Sequence, residues 1–162
     1  MGSWKVAFLF IPGKIAGFTL IELTVTMAIM SIMAAGILPL SHITYKRTKE
    51  LELKRNLRII RTALDEYEQL SKEGKIPKNN NDSGYPKTLE TLVEGMDIKG
   101  PVIFRKKFLR KIPEEPFTEN GEWGLRSYFD EPESETWGGQ DVYDVYSTSD
   151  KQALDGSYYK DW

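Results

Sequence analysis

A long apolar run near the N-terminus constrains this chain most. Residues 18–40 read FTLIELTVTMAIMSIMAAGILPL, and Glu22 is their one charged residue. As a helix the run would be about 35 Å long at 1.5 Å per residue, enough to cross the roughly 30 Å hydrocarbon core of a bilayer. We therefore expect residues 18–40 to span a membrane, with His42 at the membrane edge.

The composition excludes several classes of active site. The 162 residues contain no cysteine and a single histidine, His42. Disulfides, thiolate zinc sites, iron–sulfur clusters and cysteine nucleophiles are therefore excluded. A Ser-His-Asp triad would depend on His42, directly after the apolar run, and no nucleophile motif is present. The formal charge of −2 provides no basic surplus for nucleic acid. We predict that the chain is not an enzyme and binds no nucleic acid.

The acidic residue inside the apolar run needs a partner. An isolated carboxylate in hydrocarbon costs several kcal/mol unless it is protonated or paired. The small residues Ala16-Gly17 precede the apolar run, whereas the cleavage site of a secretory signal follows it. A cut after Gly17 would place a new α-amino group on Phe18, about one helical turn from Glu22. This amine, of the same subunit or a neighbour, is the expected partner; a plain signal anchor, the alternative, leaves Glu22 unpaired.

The start of the apolar run also resembles a known signature. Gly17-Phe18-Thr19-Leu20-Ile21-Glu22-Leu23, followed by an apolar helix, resembles the N-terminus of type IV pilins and pseudopilins. The resemblance implies that residues 1–17 are a leader, that a prepilin peptidase cleaves between Gly17 and Phe18, and that Phe18 is N-methylated. It assigns Glu22 to the acidic assembly position and Pro39 to the proline that weakens the helix. The leader departs from the family pattern, because it contains VAFLFI and has Lys14 three positions before Gly17.

Residues 41–72 continue the helix with a different pattern. An apolar stripe with 4,3,4,3 spacing predicts one buried face: Leu53, Leu57, Ile60, Leu64 and Tyr67. The other faces are expected to be solvated: Lys54, Arg55, Arg58, Arg61, Glu66 and Glu68. A core-facing helix is favoured over a coiled coil, since sustained heptads are missing. From Phe18 to Lys72 the helix would be on the order of 80 Å long. Pro39, together with Gly36, should bend or locally melt it when neighbours pack against it.

Residues 73–162 are predicted to form a globular region. Residues 73–86 read as an exposed loop, and a short helix follows between Thr88 and Gly95. Two strands are expected at Trp123–Phe129 and Asp141–Ser147. We predict an α+β fold, a pilin-like lollipop whose long helix packs against a small antiparallel sheet.

The last residues carry the one candidate metal site. Segments of the C-terminal half, including YDVYS at 143–147, are similar to the major pseudopilin of type II secretion systems. This resemblance implies a calcium ion in the loop after the last strand, for which Asp150, Asp155 and Asp161 are candidate ligands. The alternative, somewhat favoured, is an acidic turn-forming loop held by Tyr158, Tyr159 and Trp162. No other cofactor is expected.

The function that follows is structural. The resemblance implies a single-pass protein of the bacterial inner membrane, with its globular part in the periplasm. It would polymerise after cleavage into a pseudopilus for type II secretion. Its partners would be copies of itself, the prepilin peptidase, the inner-membrane secretion platform and minor pseudopilins. A type IV pilus subunit for adhesion, motility or DNA uptake is the alternative.

The charge distribution suggests how subunits meet. Residues 46–112 carry +7, including a basic run at 105–111, and residues 113–162 carry −10. Lateral contacts that set basic faces against acidic ones would steer assembly, and filament stability would fall with salt. On charge count alone, the positive residues at 46–49 favour the opposite membrane orientation, and the family motif overrules that count.

Overall fold

The computed structural model describes residues 17–77, 82–100 and 103–162, and it leaves the side chains of residues 37–40 undescribed. The predicted leader lies outside the described residues except for Gly17. The helices are α1 (Leu20–Lys72) and α2 (Glu90–Glu94), with a 3-10 helix at Tyr159–Asp161. The strands are β1 (Met96–Ile98), β2 (Phe104–Lys106), β3 (Gly124–Arg126) and β4 (Asp144–Tyr146). The chain divides into two compact units, residues 1–42 and 43–162.

The start and end of α1 follow from local capping. The helix begins at Leu20, two residues later than predicted, because the Thr19 hydroxyl accepts a hydrogen bond from the Glu22 backbone N–H at 3.2 Å. It continues without interruption through residue 39 in the single chain, and bending or melting at Pro39 in packed subunits stays a prediction. At the other end Gly74 has φ +70° and its N–H donates to the Ser71 carbonyl at 3.0 Å. A glycine in this conformation is a common way to end a helix.

The second unit is built around the predicted stripe of α1. All five stripe residues are buried, with Leu53 and Ile60 fully inaccessible, which confirms the prediction. They form one core with residues from α2, from β4 and the loop before it, and from the C-terminal segment (residues 150–162): Leu92, Val142, Val145 and Tyr159. Long side chains on a 3.6-residue period therefore hold the second unit together.

The short helix and its end are also as predicted. The helix α2 carries the buried Leu92 and stops at Gly95, which has φ +82°. A Cβ at Gly95 would lie 2.4 Å from the Lys106 carbonyl oxygen, so the close approach of β2 requires glycine here. The Leu92 carbonyl accepts hydrogen bonds from the N–H groups of Phe108 and Leu109. The segment after β2 is thereby fastened to α2.

The β structure confirms the α+β class but not a single sheet. The described residues contain two antiparallel two-stranded sheets, β1–β2 and β3–β4. The second pair lies within the predicted strands, with Leu125 opposite Val145. The first pair was not predicted, because each strand has three residues and β2 falls in the basic run, with Met96 opposite Lys106.

The loop at 73–86 is less exposed than predicted. Residues 78–81 lie outside the described residues, but Ile76, Gly84 and Pro86 are buried. The Pro86 carbonyl accepts a hydrogen bond from the Val142 N–H at 2.8 Å. The loop is therefore part of the wall around the core.

Candidate processing and assembly site

The peptide bond predicted to be cleaved precedes the helix. Gly17, Phe18 and Thr19 have no regular secondary structure, and Phe18 is 81% exposed. Thr19 fixes the point where helical geometry begins, through its bond to the Glu22 N–H. An exposed, non-helical segment with a small residue is the kind of backbone that proteases cut. The Gly17–Phe18 bond is therefore accessible in this structure.

Glu22 lies in the first turn of α1 and is exposed. Its carboxylate is in no salt bridge with any described residue. An acidic side chain in the first turn is stabilised by the positive end of the helix dipole, and the T-x-x-E sequence at 19–22 is the pattern of a capping box. Glu22 therefore supports the helix start locally while its charge stays available to a group from another molecule.

The apolar half of α1 is uncovered on all sides. Residues 18–36 are exposed throughout, and the large apolar side chains among them include Leu20 at 81%, Ile21 at 69% and Ile32 at 76% exposure. Within the described part of the chain, α1 is the one helix long and apolar enough to cross a membrane. Its apolar half has no covering partner among the described residues, which is consistent with membrane anchoring.

Arg61 corrects one prediction for the amphipathic half. It was expected on a solvated face, but its guanidinium binds the Asp144 carboxylate through two bonds, of 2.7 and 3.1 Å. Its Nη2 also donates to the carbonyls of Val145 and Trp162. A fork-shaped donor suits such a bidentate contact. The sequence held no signal for this pair, because its partners lie 83 or more residues away.

Two more charged residues of α1 hold the C-terminal segment. The Glu50 carboxylate accepts hydrogen bonds from the Leu154 N–H at 2.8 Å and the Tyr159 hydroxyl at 2.9 Å. Burial and the Glu50 bond raise the pKa of Tyr159. The Lys54 ammonium lies 4.1 Å from the centroid of the Trp162 ring. Together with Arg61, these side chains fasten the last residues of the chain to the helix.

The three calcium candidates do not form a metal-binding set. Asp155 accepts bonds from the Ser157 N–H at 3.0 Å and hydroxyl at 2.6 Å, and the hydroxyl bond is the main reason that its pKa is lowered. Asp150 faces Lys160 at 3.8 Å, and both residues, like Asp161, stand in the C-terminal segment. Across residues 17–77, 82–100 and 103–162, no three His, Asp or Glu side chains converge. Calcium needs six to eight oxygen ligands, so this arrangement does not fit it, and calcium binding stays a prediction.

A buried carboxylate that sequence reasoning missed orders the segment before β3. Glu115 is 2% exposed, and its Oε1 accepts a bond from the Ser147 hydroxyl at 2.8 Å. Its Oε2 accepts from the N–H groups of Phe117 and Thr118. A buried charge needs this degree of pairing. Glu115 therefore has a structural role, because it joins residues 113–118 to Ser147, which directly follows β4.

The comparisons with known proteins bear on the N-terminus. Residues 13–38 match the family described as the prokaryotic N-terminal methylation motif. The match supports the type IV pilin-like superfamily. The matched segment contains the Gly17–Phe18 bond and Glu22, so the family signature and the uncovered apolar helix coincide. No curated protein and no solved structure matches the chain.

Proposed function

We propose that this chain is the subunit of a helical filament that assembles from the bacterial inner membrane after removal of residues 1–17. One observation carries the proposal. The methylation motif stands at the start of a helix whose apolar side chains at residues 18–36 are exposed on every side. Such a surface needs lipid before assembly and neighbouring subunits after it.

The first step is cleavage between Gly17 and Phe18 by a prepilin peptidase, with methylation of the new amine. The exposed, non-helical backbone at this bond suits the step. Since Thr19 caps the helix from the product side of the bond, α1 keeps its start after the leader has gone.

The second step is pairing of Glu22 with the Phe18 amine of a neighbouring subunit. Within a bilayer, burying apolar side chains against other apolar side chains brings little gain, because lipid tails are equally apolar. Joining two opposite charges in a low dielectric is favourable and sets the register between helices. A contact between different faces of two identical subunits, repeated, builds an open helix.

The finer assignment is a major pseudopilin. We propose that the filament is a short periplasmic pseudopilus that drives type II secretion, with the secretion platform and minor pseudopilins as partners. The similarity of segments such as YDVYS at 143–147 to major pseudopilins supports this assignment. A type IV pilus subunit, with the same N-terminal motif, is the other candidate.

Filament imaging with matched glutamate variants tests the proposal. The full chain is expressed with a prepilin peptidase, and sheared material is examined by electron microscopy. We expect Glu22→Ala to abolish filaments while cleavage continues, and Glu52→Ala, which removes an exposed acid of the same helix, to leave filaments unchanged. Normal filaments from Glu22→Ala would contradict the mechanism.

Deletion of the gene in its host separates the two candidates. Loss of an exported protein from the medium with surface filaments intact supports the pseudopilin. Loss of surface pili with secretion intact supports the pilus subunit. Normal secretion together with normal surface pili would contradict both assignments.

A further inference from the structure

A basic and aromatic cleft lies shortly after the apolar run. The cleft has a volume of about 500 Å³ and is lined by Tyr45, Lys46, Lys49, Phe117, Lys151, Gln152 and Tyr159. We call it the basic cleft. Three of its lining residues are lysines, and Lys151 comes from the C-terminal segment, so folding brings distant cations together.

The three lysines of the basic cleft differ in whether their ammonium groups already contact the protein. The Lys49 ammonium donates to the Pro116 carbonyl at 2.7 Å and lies 5.2 Å from the Tyr45 ring and 5.8 Å from the Phe117 ring. Lys49 thus shapes the wall. Lys46 and Lys151 are in no salt bridge with any residue that the structure describes. Their two positive charges are available to a ligand.

Acidic side chains do not neutralise the basic cleft from within. None of its lining residues is acidic. Glu50, the next residue along α1 after Lys49, has its Oε1 engaged by the Leu154 N–H and the Tyr159 hydroxyl. The cleft therefore selects an anion.

Chain connectivity limits the distance between the apolar run and Tyr45, which lines the basic cleft. Tyr45 stands five residues after the end of the apolar run, so it lies within about 17 Å of that end whatever the backbone conformation. Tyrosine and lysine are residue types that favour the headgroup layer of a bilayer, where a ring meets hydrocarbon and a charge meets phosphate.

We propose that the basic cleft binds the phosphate of anionic phospholipid headgroups of the membrane that anchors residues 18–40. The proposal rests on the membrane anchoring in the proposed function. The charge of the cleft favours a phosphate, because three lysines line it and none of its lining residues is acidic. Headgroup binding also explains why positive residues follow the apolar run at 46–49, although the positive-inside rule would favour them on the cytoplasmic side.

Lysine labelling in nanodiscs tests the proposal on the full chain. One copy is placed in each disc, made of phosphatidylcholine alone or of an equal mixture with phosphatidylglycerol. Acetylation rates are measured for each lysine by mass spectrometry. We expect Lys46 and Lys151 to react about fivefold more slowly in the anionic discs. Protection should vanish in 1 M salt, where screening acts over about 3 Å. Lys107 and Lys111, exposed elsewhere in the second unit, serve as internal controls.

Paired variants give an independent readout. Native mass spectrometry counts the phosphatidylglycerol molecules that stay bound on release from the discs. The double variant K46A/K151A should retain fewer than the parent, whereas the matched double variant K107A/K111A should retain the same number. Circular dichroism checks that both variants keep the fold, since none of the four side chains is buried. Equal retention by K46A/K151A and the parent would overturn the proposal.

Other ligands give distinguishable results, and each overturns the proposal. Equal labelling rates in both lipids mean that the cleft does not select an anionic headgroup. Protection by inorganic phosphate in phosphatidylcholine discs, with no protection by anionic discs, means that the site takes a soluble anion only. Protection that requires two copies in a disc means that an acidic face of a second subunit occupies the cleft. If the chain fails to insert into discs at all, the membrane anchoring of the proposed function fails instead.

Discussion

The two halves of α1 use apolar side chains in opposite ways. In residues 18–36 they surround the helix and all are exposed, whereas in residues 53–67 they form a stripe that is buried. A stripe needs a partner on one side, and the rest of the second unit supplies it. An all-round surface needs partners on every side, and the described chain supplies none. The arrangement of apolar residues thus separates the part that folds a subunit from the part available to other molecules.

The largest effect should come from shortening an apolar side chain in the stripe. Ile60→Ala removes a fully buried side chain, and we expect the free energy of unfolding to fall by about 2–5 kcal/mol. Ile32→Ala, the matched change in the exposed half, should cost less than about 0.5 kcal/mol. Urea unfolding of the full chain in detergent, followed by near-ultraviolet circular dichroism, measures both. Equal losses would mean that the two halves do not differ as described.

A charged side chain in the second half of α1 should also contribute to the free energy of unfolding. Arg61→Ala leaves the Asp144 carboxylate and the Trp162 carbonyl without their donor, and we expect a loss of about 2 kcal/mol. Arg58→Ala removes an exposed arginine of the same helix and should be nearly neutral. The same urea experiment compares them. A loss from Arg58→Ala as large as that from Arg61→Ala would disprove the role of the Asp144 contact.

Reversing charge at the basic run tests whether assembly needs more than the apolar half. Lys107, Arg110 and Lys111 are exposed, and their replacement by Glu should raise the critical concentration for filament formation about tenfold by removing attraction to acidic faces. Sedimentation at several salt concentrations measures the critical concentration of the parent and of the variant. The difference between the two should shrink as salt rises, because screening weakens the attraction in the parent. Unchanged assembly by the triple Glu variant would remove electrostatic steering from the account.

The smallest effect concerns pH. Burial and the negative charge of Glu68 raise the pKa of Tyr85 from 10.0 to about 12. The phenol of the folded protein therefore holds its proton more tightly than that of the unfolded chain. This contribution to stability is fully present below pH 10 and is lost as the pH rises towards 12. Tyr85→Phe should flatten the fall in stability between these values. Absorbance at 295 nm follows ionisation, and an unchanged titration curve in Tyr85→Phe would contradict the assignment.

Local patterns predicted the parts of the fold that depend on neighbours in sequence. The stripe of α1, the end of α2 at Gly95 and the pair β3–β4 follow from periodicity, glycine geometry and β-rich runs. The motif at 17–23 predicts the processing site between Gly17 and Phe18, and cleavage there stays a prediction. Contacts across long separations could not be read in this way. The Arg61–Asp144 pair and the buried Glu115 depend on packing that the sequence pattern does not encode. The β1–β2 pair is local, and it escaped prediction because each strand has only three residues.

Cleavage after Gly17 is the step on which filament assembly depends. Intact mass and N-terminal sequencing are measured on the full chain recovered from membranes, with and without a prepilin peptidase. We expect a product that begins with methylated Phe18 only when the peptidase is present. An uncut chain, or one cut at another bond, would contradict it.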